Sequence, residues 1–359
     1  MFVLCHTCAS NESDNCNHSD DERALTGTWT TDEMKKAIEK GYHILKIYEI
    51  WNFPEIAQYN RSTNTGGLFS GYIDCFMKLK QEASGWPSNV KTEHEKRQYI
   101  HLYFVNEGIQ LEYDRIEKNP GLRSLAKLML NSFWGKFGQR SNMTQLEHIN
   151  EPAHYFDLLT SESQEVTDIN FINNEMVEMR WKYMEDFVQS NPRTNVIIAA
   201  YTTSQARLKL YDDLDRLQER ALYVDTDSII YRTGNAIDML KTGDYLGQLT
   251  NEVPDGRITH FVSAGPKNYA LKIEQNNQTS TLVKVRGITL NYNTSLQIDF
   301  KTVKEIIDFP DTTVATKRQH IRRRARERLL VTREESKDFK LAFNKRVIQS
   351  NYENVPYRF

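Results

Sequence analysis

The chain has 359 residues, more than one compact core usually holds, and therefore predicts two or three structural units. Its 46 Lys and Arg residues nearly balance its 48 Asp and Glu residues, although residues 10–22 are acidic and residues 317–328 carry seven Lys or Arg against one Glu. No apolar run approaches the ~20 residues of a membrane span, and residues 1–8 have no basic start of a signal peptide. Four cysteines exclude a disulfide scaffold and favour a reducing compartment, so we expect neither membrane association nor secretion.

Three of the four cysteines, Cys5, Cys8 and Cys16, lie near the start of the sequence and are followed by His18. Thiolates and imidazole are the ligands of structural zinc, so these four residues are candidate ligands of a structural Zn2+. The gap between Cys8 and Cys16, and the single residue between Cys16 and His18, match no common zinc signature. The other interpretation is a cysteine-bearing loop that holds no metal.

Capping signals and apolar spacing predict the elements of the first part of the chain. A capping box at Thr30 and Glu33 predicts a short helix. Alternating residues rich in Ile, Tyr and Trp predict a strand over 43–53. Helical periodicity, with a helix start at Asn119-Pro120, predicts three further helices, over 67–83, 93–107 and 119–138.

The second part of the chain has weaker signals at its start. Residues 140–193 are polar and irregular, with weak strand signals around Phe171 and over 176–181. The last sixty residues predict a basic helical region. Between these two regions the sequence predicts a long helix over 195–217, a buried strand pair over 221–231, and a hairpin of 268–274 with 281–287 around Asn276-Asn277.

The segment 222–231 carries two carboxylates, Asp225 and Asp227, within an otherwise apolar strand pair. Such a placement costs several kcal/mol unless a partner neutralises the charges. Two carboxylates at one hairpin tip suit Mg2+, which takes carboxylate oxygens together with substrate phosphates, and a pair of such ions can assist in-line phosphoryl transfer. The other interpretation is an Asp-Thr-Asp turn in an ordinary hairpin.

The helix predicted over 119–138 has two distinct faces. An apolar stripe predicts the face that packs. Arg123, Lys127 and Asn131 fall on another face, with Trp134 further along it. Cations spaced one turn apart suit a triphosphate, and the polar and aromatic groups beyond them suit a sugar and a base. The other interpretation is a solvated basic face.

Together these two segments resemble motifs B and C of the family B DNA polymerases. The residues that carry the resemblance are Lys-x3-Asn-Ser-x-Trp-Gly over 127–135 and Tyr-x-Asp-Thr-Asp-Ser over 223–228. The resemblance implies an α+β right-hand fold, with a palm built on an antiparallel sheet, helical fingers and a thumb. It also implies that Asp227 is the more direct ligand of catalytic Mg2+ (or Mn2+) and that Asp225 is its less direct companion.

The resemblance further implies that the motif B helix meets the incoming nucleotide. Lys127 is expected to contact the triphosphate, with Arg123 on the same face, and Asn131 is expected to shape the nucleotide pocket. Trp134 departs from the family pattern, in which Tyr is commoner. The indole ring is larger and has no hydroxyl, which implies that the enzyme discriminates between bases or sugars differently at this position.

A third motif narrows the resemblance to the protein-primed branch of the family. Gly265-Pro266-Lys267-Asn268-Tyr269 resembles the Lys-x-Tyr element of that branch, which contacts the primer strand and the nucleotide. Residues 200–207 are similar to the polymerases of Polinton/Maverick elements and their viral relatives. We expect Lys267 and Tyr269 to share one face of a strand and to act with Tyr223 on the primer.

The resemblance also implies a division of the chain. It comprises a partial palm with the Cys-rich start (1–66), fingers with motif B (67–140), an insertion placed like the family's TPR2 (141–194), a palm with motif C and the Lys-x-Tyr element (195–295) and a thumb (296–359). The thumb is expected to contact the phosphate backbone of duplex DNA through the basic run 317–328. This run contains Arg322, Arg323, Arg324, Arg326 and Arg328. The other interpretation of that run is a solvated basic helix.

The implied activity is DNA-templated nucleotidyl transfer from a dNTP to a primer 3′-OH, assisted by two metal ions and initiated on a terminal protein. The implied partners are therefore template-primer DNA, dNTPs and a terminal protein. The implied location is the nucleus or a viral replication site.

Motif A of the family, Asp-x2-Ser-Leu-Tyr-Pro, does not occur in residues 1–118. We therefore expect an N-terminally truncated polymerase that lacks motif A and the exonuclease domain and extends a primer poorly. The alternative function is a catalytically inactive DNA-binding remnant. An RNA-templated polymerase is disfavoured, because that class more often shows two adjacent Asp residues after Tyr-x.

Overall fold

The structure is a computed structural model of the chain. It describes residues 5–13, 15–60, 62–63, 65–189, 191–234, 240–324, 329–341, 347–349 and 354–355. The chain divides into two compact units. The motif B unit comprises Thr30–Asp213 and Leu240–Thr250. The motif C unit comprises Met1–Trp29, Leu214–Met239 and Asn251–Phe359.

Helices and antiparallel strands both contribute to the fold. The helices are α1 (His6–Asn11), α2 (Thr31–Glu39), α3 (Ser70–Glu82), α4 (Glu93–Glu107), α5 (Pro120–Phe137), α6 (Pro152–Leu159), α7 (Val196–Leu217), α8 (Tyr292–Gln297) and α9 (Phe300–Asp308). The strands are β1 (Tyr59–Asn60), β2 (Thr65–Gly66), β3 (Gln145–Ile149), β4 (Gln164–Phe171), β5 (Val177–Tyr183), β6 (Ala221–Asp225), β7 (Ser228–Tyr231), β8 (Gly256–Ser263), β9 (Tyr269–Gln275), β10 (Gln278–Lys284), β11 (Thr313–Arg324), β12 (Leu329–Lys340), β13 (Val347–Ile348) and β14 (Asn354–Val355). Every pair formed between these strands is antiparallel, so the predicted α+β class is confirmed.

The helices of the motif B unit begin where their capping residues predict. Thr92 and Glu95 form a complete capping box at the start of α4. Asn119 caps α5 with its side chain, and Pro120 occupies the first helical position, where its missing N–H has no cost. The predicted helices over 67–83, 93–107, 119–138 and 195–217 are confirmed as α3, α4, α5 and α7.

Aromatic packing fixes α5 against α3. The ring of Phe133 lies 5.3 Å from that of Phe69 and 4.7 Å from that of Tyr72, measured between centroids. Because these rings bury one face of α5, the opposite face is left exposed. The adjoining buried core consists of Met77, Tyr103, Ile109, Leu111 and Ile116.

Residues 140–193 form a small sheet in the motif B unit. Its strand order is β3-β5-β4, and α6 packs on it around a core of Ile149, Leu158, Met179 and Trp181. The weak strand signals around Phe171 and over 176–181 are confirmed as β4 and β5. The assignment of this region to a TPR2-like insertion stays a prediction.

The predicted strand over 43–53 is wrong. These residues have no regular structure, and Leu45, Tyr48 and Ile50 are exposed. A strand needs a hydrogen-bonded neighbour, and among the described residues no segment pairs with this one. Its alternating pattern therefore has no sheet to bury it.

A three-stranded sheet forms the centre of the motif C unit. Its order is β10-β9-β8, and the turn between β9 and β10 is formed by Asn276 and Asn277, both with positive φ (51° and 59°). This conformation suits a two-residue hairpin turn, and the predicted hairpin is confirmed. Helix α9 packs on the sheet, and the shared core consists of Ala264, Ala270, Ile298, Phe300, Val303, Ile306 and Phe339.

The helical prediction for the last sixty residues is confirmed only for α9 and is wrong beyond it, where β11 and β12 form a long antiparallel hairpin. Val314, Thr316 and Arg318 are at least partly buried, whereas the residues between them are exposed. This period of two belongs to a strand. Arg318 also binds Glu335 across the pair, with a nitrogen to oxygen distance of 2.7 Å. Arg326 and Arg328 of the basic run lie outside the described residues.

Within the part of the chain that the structure describes, no helix is long and apolar enough to cross a bilayer.

The buried contact between α2 and α7 generates a test of stability. Thr30 caps α2, and its hydroxyl lies 2.6 Å from that of the fully buried Ser204. We expect Thr30→Ala to lower the free energy of unfolding by about 1–3 kcal/mol, because it removes a cap and leaves Ser204 without this partner. Urea denaturation measures the loss, and hydrogen exchange should be faster in α2.

The matched control is Thr31→Ala. Thr31 bonds the hydroxyl of Tyr201 at 2.9 Å in an exposed contact, so its loss should change stability by less than about 0.5 kcal/mol. Equal effects from the two substitutions would contradict the role given to the buried contact.

Candidate nucleotide and primer site

A two-residue turn brings the motif C carboxylates to the tip of the β6–β7 hairpin. Asp225 ends β6 and pairs with Ser228, so Thr226 and Asp227 form the turn. Thr226 has a φ of 56°, in the left-handed region that such turns require. The Ser228 hydroxyl donates to the carbonyl oxygen of Asp225 at 3.0 Å and holds the turn closed.

The hairpin is confirmed, but its predicted burial is wrong. Leu222 and Val224 are exposed, and Asp225 is only half-buried. Within the described residues β6 and β7 form a two-stranded sheet, so no further strand covers either edge. The carboxylates at the tip are therefore accessible to solvent.

Lys267 neutralises one of the two carboxylates. Its Nζ donates to both carboxylate oxygens of Asp225, at 2.9 and 2.7 Å. The backbone N–H of Lys267 donates to the hydroxyl of Tyr223 at 2.8 Å. The Lys-x-Tyr element and the motif C hairpin are thus joined by both a main-chain and a side-chain contact.

The expectation that Lys267 and Tyr269 share a strand face is wrong. Lys267 has a φ of 61° and lies in a turn, whereas β9 begins at Tyr269. The turn is closed by hydrogen bonds from the Asn268 N–H to Gly265 and from the Ala264 N–H to Asn268. It is this turn, and not strand alternation, that lets the Lys267 ammonium reach the hairpin tip.

An aromatic cluster adjoins the ion pair. The rings of Tyr223 and Tyr269 are 4.8 Å apart, and Phe261 lies beside both. Burial raises the pKa of the Tyr269 hydroxyl, with a further contribution from Tyr223. Tyr269 therefore stays neutral and can serve as a donor near neutral pH.

The ion pair shifts the pKa of each partner in the expected direction. The hydrogen bond from Lys267 lowers the pKa of Asp225, although partial burial opposes the change. The same bond raises the pKa of Lys267. Both groups thus remain charged over a wide pH range.

The motif B helix presents the three predicted polar residues on an exposed face. Arg123, Lys127 and Asn131 are exposed, while Ala126 on the packed side is fully buried. Arg123 is held by a hydrogen bond from its Nε to the Ser84 hydroxyl at 3.1 Å. Trp134 is half-buried.

Lys80 joins this face, although the sequence did not indicate it. Burial lowers the pKa of Lys80, and the charges of Arg123 and Lys127 lower it further. Lys80 of α3 therefore lies close enough to Arg123 and Lys127 of α5 to be repelled by both, although Glu107 partly opposes this effect. Such a cluster attracts an anion, because a bound polyanion relieves the repulsion. Periodicity had predicted both helices, but it does not specify how two helices pack.

The four candidate zinc ligands converge. The three sulfur atoms and one ring nitrogen of Cys5, Cys8, Cys16 and His18 all lie within 4.8 Å of one another. Among the described residues, no other group of three or more His, Cys, Asp or Glu meets the same criterion. The carboxylates of Asp225 and Asp227 are therefore not part of such a group in that part of the chain.

Residues 91–219, which contain the motif B helix, match the family model of DNA polymerase type B, organellar and viral. This segment is therefore similar to the type B DNA polymerases. The structure is also similar to phi29 DNA polymerase complexed with primer-template DNA and incoming nucleotide substrates, with a TM-score of 0.44 and 16% sequence identity. The similarity covers 77% of this chain and 38% of the phi29 chain. No curated protein sequence matches the chain.

The Asp225–Lys267 contact generates a test by pH titration. Lys267→Met should raise the pKa of Asp225 toward its ordinary value of about 3.9. Since the folded-state pKa is the lower one, the pair stabilises the fold above the ordinary pKa, and this contribution is lost as the pH falls through the folded-state pKa. Both side chains are partly exposed, so we expect less than about 1 kcal/mol.

Carboxyl 13C NMR over acidic pH follows Asp225 directly. The control is Lys272→Met, because Lys272 lies over the Phe300 ring and should not affect Asp225. An unchanged Asp225 pKa in Lys267→Met would show that the ion pair does not form in solution.

Proposed function

We propose that the chain is the nucleotide-adding part of a DNA-templated DNA polymerase, which transfers a nucleotide from a dNTP to a primer 3′-OH. The observation that carries the proposal is a row of cations on one exposed helix face inside the segment that matches type B polymerases. A triphosphate has the charge and the length to span Arg123 and Lys127. Lys80 adds a third cation to the same cluster.

Asn131 and Trp134 follow the cations along α5 and are assigned to the sugar and base. Tyr223, Lys267 and Tyr269 are assigned to the primer strand. Lys267 supplies a cation for a phosphate, and the two Tyr side chains supply aromatic surface. These roles need residues that are accessible, and Lys267 is 61% exposed.

Asp225 and Asp227 are assigned to Mg2+ (or Mn2+). The residues fit such an ion, because the Lys267 ammonium already bonds both oxygens of Asp225 and marks that carboxylate as a cation site. When bound, the metal ions stabilise the charge that develops on the attacking and leaving oxygens. Asp227 is exposed and is assigned the more direct contact, and Asp225, which Lys267 already bonds, is assigned the less direct one.

The finer features of the function belong to the same proposal. They are a right-hand arrangement of palm, fingers, TPR2-like insertion and thumb, initiation on a terminal protein, an origin in a Polinton-type element or a related virus, and replication in the nucleus or at a viral replication site. The Lys-x-Tyr element supports protein priming through its resemblance to that branch.

The alternative is a DNA-binding remnant without turnover. One observation favours it: among the described residues Asp225 and Asp227 do not belong to a converging group of three or more potential metal ligands. Two ions held at a short separation normally need carboxylates from more than one strand. The two functions share the same DNA and nucleotide contacts and differ in catalysis.

Primer extension separates the two functions. The purified chain, and the same chain joined to a family motif A segment, are assayed with template-primer, Mg2+ and dNTPs. For the joined form, Asp227→Asn should reduce turnover by roughly 10³-fold, because metal stabilisation is worth several kcal/mol. Lys127→Ala should raise the dNTP KM about tenfold or more, as expected for a lost charge-assisted contact.

The matched control for Lys127 is Lys136→Ala. Lys136 lies on the same helix nine residues later, about 180° around the axis, so its removal should leave the KM unchanged. No extension by either form, with intact binding of DNA and dNTP, would select the remnant. An unchanged KM in Lys127→Ala would refute the triphosphate assignment.

The β11–β12 hairpin is the proposed DNA contact of the thumb. Near its base the cations are neutralised, since Lys317 lies 3.2 Å from Glu334 and Arg318 pairs with Glu335. Arg322 and Arg323 lie further along β11 and are exposed. We therefore assign the phosphate contacts to the distal half of the hairpin.

Loss of these two cations should make DNA binding weaker and less sensitive to salt. Arg322→Gln with Arg323→Gln should lower the slope of log K against log salt by about 1.8, or about 0.9 for each lost phosphate contact. Fluorescence anisotropy with duplex DNA across a salt series measures the slope. The charge-matched control is Lys301→Gln with Lys304→Gln in α9, whose lysines pair with Glu305 and Asp308. Equal slopes in the two double variants would contradict the assignment.

A further inference from the structure

We propose that Cys5, Cys8, Cys16 and His18 bind one Zn2+ ion, in a structural site that holds α1 and the segment around Cys16 and His18 together. This proposal is independent of the polymerase function, because it concerns residues that the proposed catalysis does not use. The four ligand atoms lie within 4.8 Å of one another, and Cys5 and Cys8 are fully buried.

The distances fit a tetrahedral ion better than a set of hydrogen bonds. The Nδ1 atom of His18 lies 3.6 Å from the sulfur of Cys5, 3.3 Å from that of Cys8 and 3.6 Å from that of Cys16. One ring nitrogen has either one proton or one lone pair, so it cannot satisfy three thiols. Zinc bond lengths of about 2.3 Å to sulfur and 2.0–2.1 Å to nitrogen place the two atoms about 3.6 Å apart in a tetrahedron.

The local backbone prepares the first two ligands. Cys5 lies at the N-cap of α1, and its sulfur accepts a hydrogen bond from the Cys8 N–H at 3.4 Å. Cys8 follows three residues later, so one turn of helix brings both sulfur atoms to the same side.

The ligand set selects the metal. Three thiolates and one imidazole are a donor set of structural zinc sites, and soft sulfur ligands disfavour Mg2+ and Ca2+. The close approach of all four ligand atoms suits a single ion, whereas an iron–sulfur cluster needs room for several atoms between its ligands. A disulfide would use two of the three cysteines and leave the third without a partner, and the three thiols are free.

The surroundings show why this segment needs a metal. Helix α1 has six residues, fewer than an isolated helix needs for stability. In the part of the chain that the structure describes, the apolar cluster around Cys5 and Cys8 contains only Ala9, Cys16 and Val347 besides. Such a small cluster provides little burial energy, whereas binding of a structural zinc contributes directly to folding. Val347 belongs to β13 and packs against this cluster, so a bound ion would order the surface on which β13 packs.

Metal analysis of the purified full chain tests the proposal. Elemental analysis should find one zinc ion per chain, and Cys16→Ser should lose it. The control is Cys75→Ser, which removes the exposed cysteine of α3 and should keep full zinc content. Substitution with Co2+ should give the absorption of a tetrahedral thiolate site in the wild type and in Cys75→Ser.

A second variant keeps the test valid if Cys16→Ser does not fold. His18→Cys retains four ligands and should retain zinc, whereas His18→Ala should bind zinc at least tenfold more weakly in a chelator competition. Chelation of the wild type should speed hydrogen exchange in residues 5–13 and 347–349. A wild type purified with added Zn2+ that holds no metal, or one whose zinc persists in Cys16→Ser and His18→Ala, would overturn the proposal.

Discussion

The ion pair between Asp225 and Lys267 is the contact on which the arrangement of the motif C tip depends. Asp225 ends β6, and the left-handed turn at Thr226 places it at the tip of the β6–β7 hairpin. The Lys267 ammonium bonds both oxygens of this carboxylate, and this bond lowers the pKa of Asp225. The turn that carries Lys267 lies between β8 and β9, and the Lys267 N–H also donates to the Tyr223 hydroxyl of β6. The same turn therefore supplies the positive charge at the tip and connects the three-stranded sheet to the hairpin.

Basic side chains of the molecule have two kinds of neighbours. In the β11–β12 hairpin and at the motif C tip, basic side chains meet acidic partners within the chain. Where α3 packs on α5, burial lowers the pKa of Lys80, and the charges of Arg123 and Lys127 lower it further, although Glu107 opposes them. The first arrangement stabilises the fold, whereas the second leaves positive charge that a bound anion would neutralise. We therefore assign a structural role to the paired basic side chains and a binding role to Lys80, Arg123 and Lys127.

Several elements could be predicted from local signals in the sequence alone. Asn119-Pro120 specifies the start of α5, and the Asn276-Asn277 pair specifies a hairpin, because each acts through its own backbone preferences. Predictions were wrong where the structure of a segment depends on residues far away in the sequence. Residues 43–53 alternate like a strand but have no neighbour to pair with among the described residues, and the density of Arg in β11 obscured an alternation that packing against Phe339 makes clear.

The candidate site shows the same division. The sequence indicated Asp225, Asp227 and the α5 face through motif order, but it could not reveal that Lys80 joins the cations or that Lys267 reaches Asp225 from a turn. Both facts depend on tertiary packing. The convergence of Cys16 and His18 on the Cys5–Cys8 pair was likewise a matter of the path of the chain, which spacing alone left open.

The register of the β11–β12 hairpin has a consequence for how its length can change. Thr316 and Phe339 are buried at the base, and they fix which side of each strand faces the core. Because side chains alternate, inserting one residue between Thr316 and Arg322 would exchange the two faces of the distal arm, whereas inserting two would preserve them. During evolution, insertions and deletions in each strand of this hairpin should therefore involve even numbers of residues. The hairpin can then differ in length while its basic side chains stay on the same face.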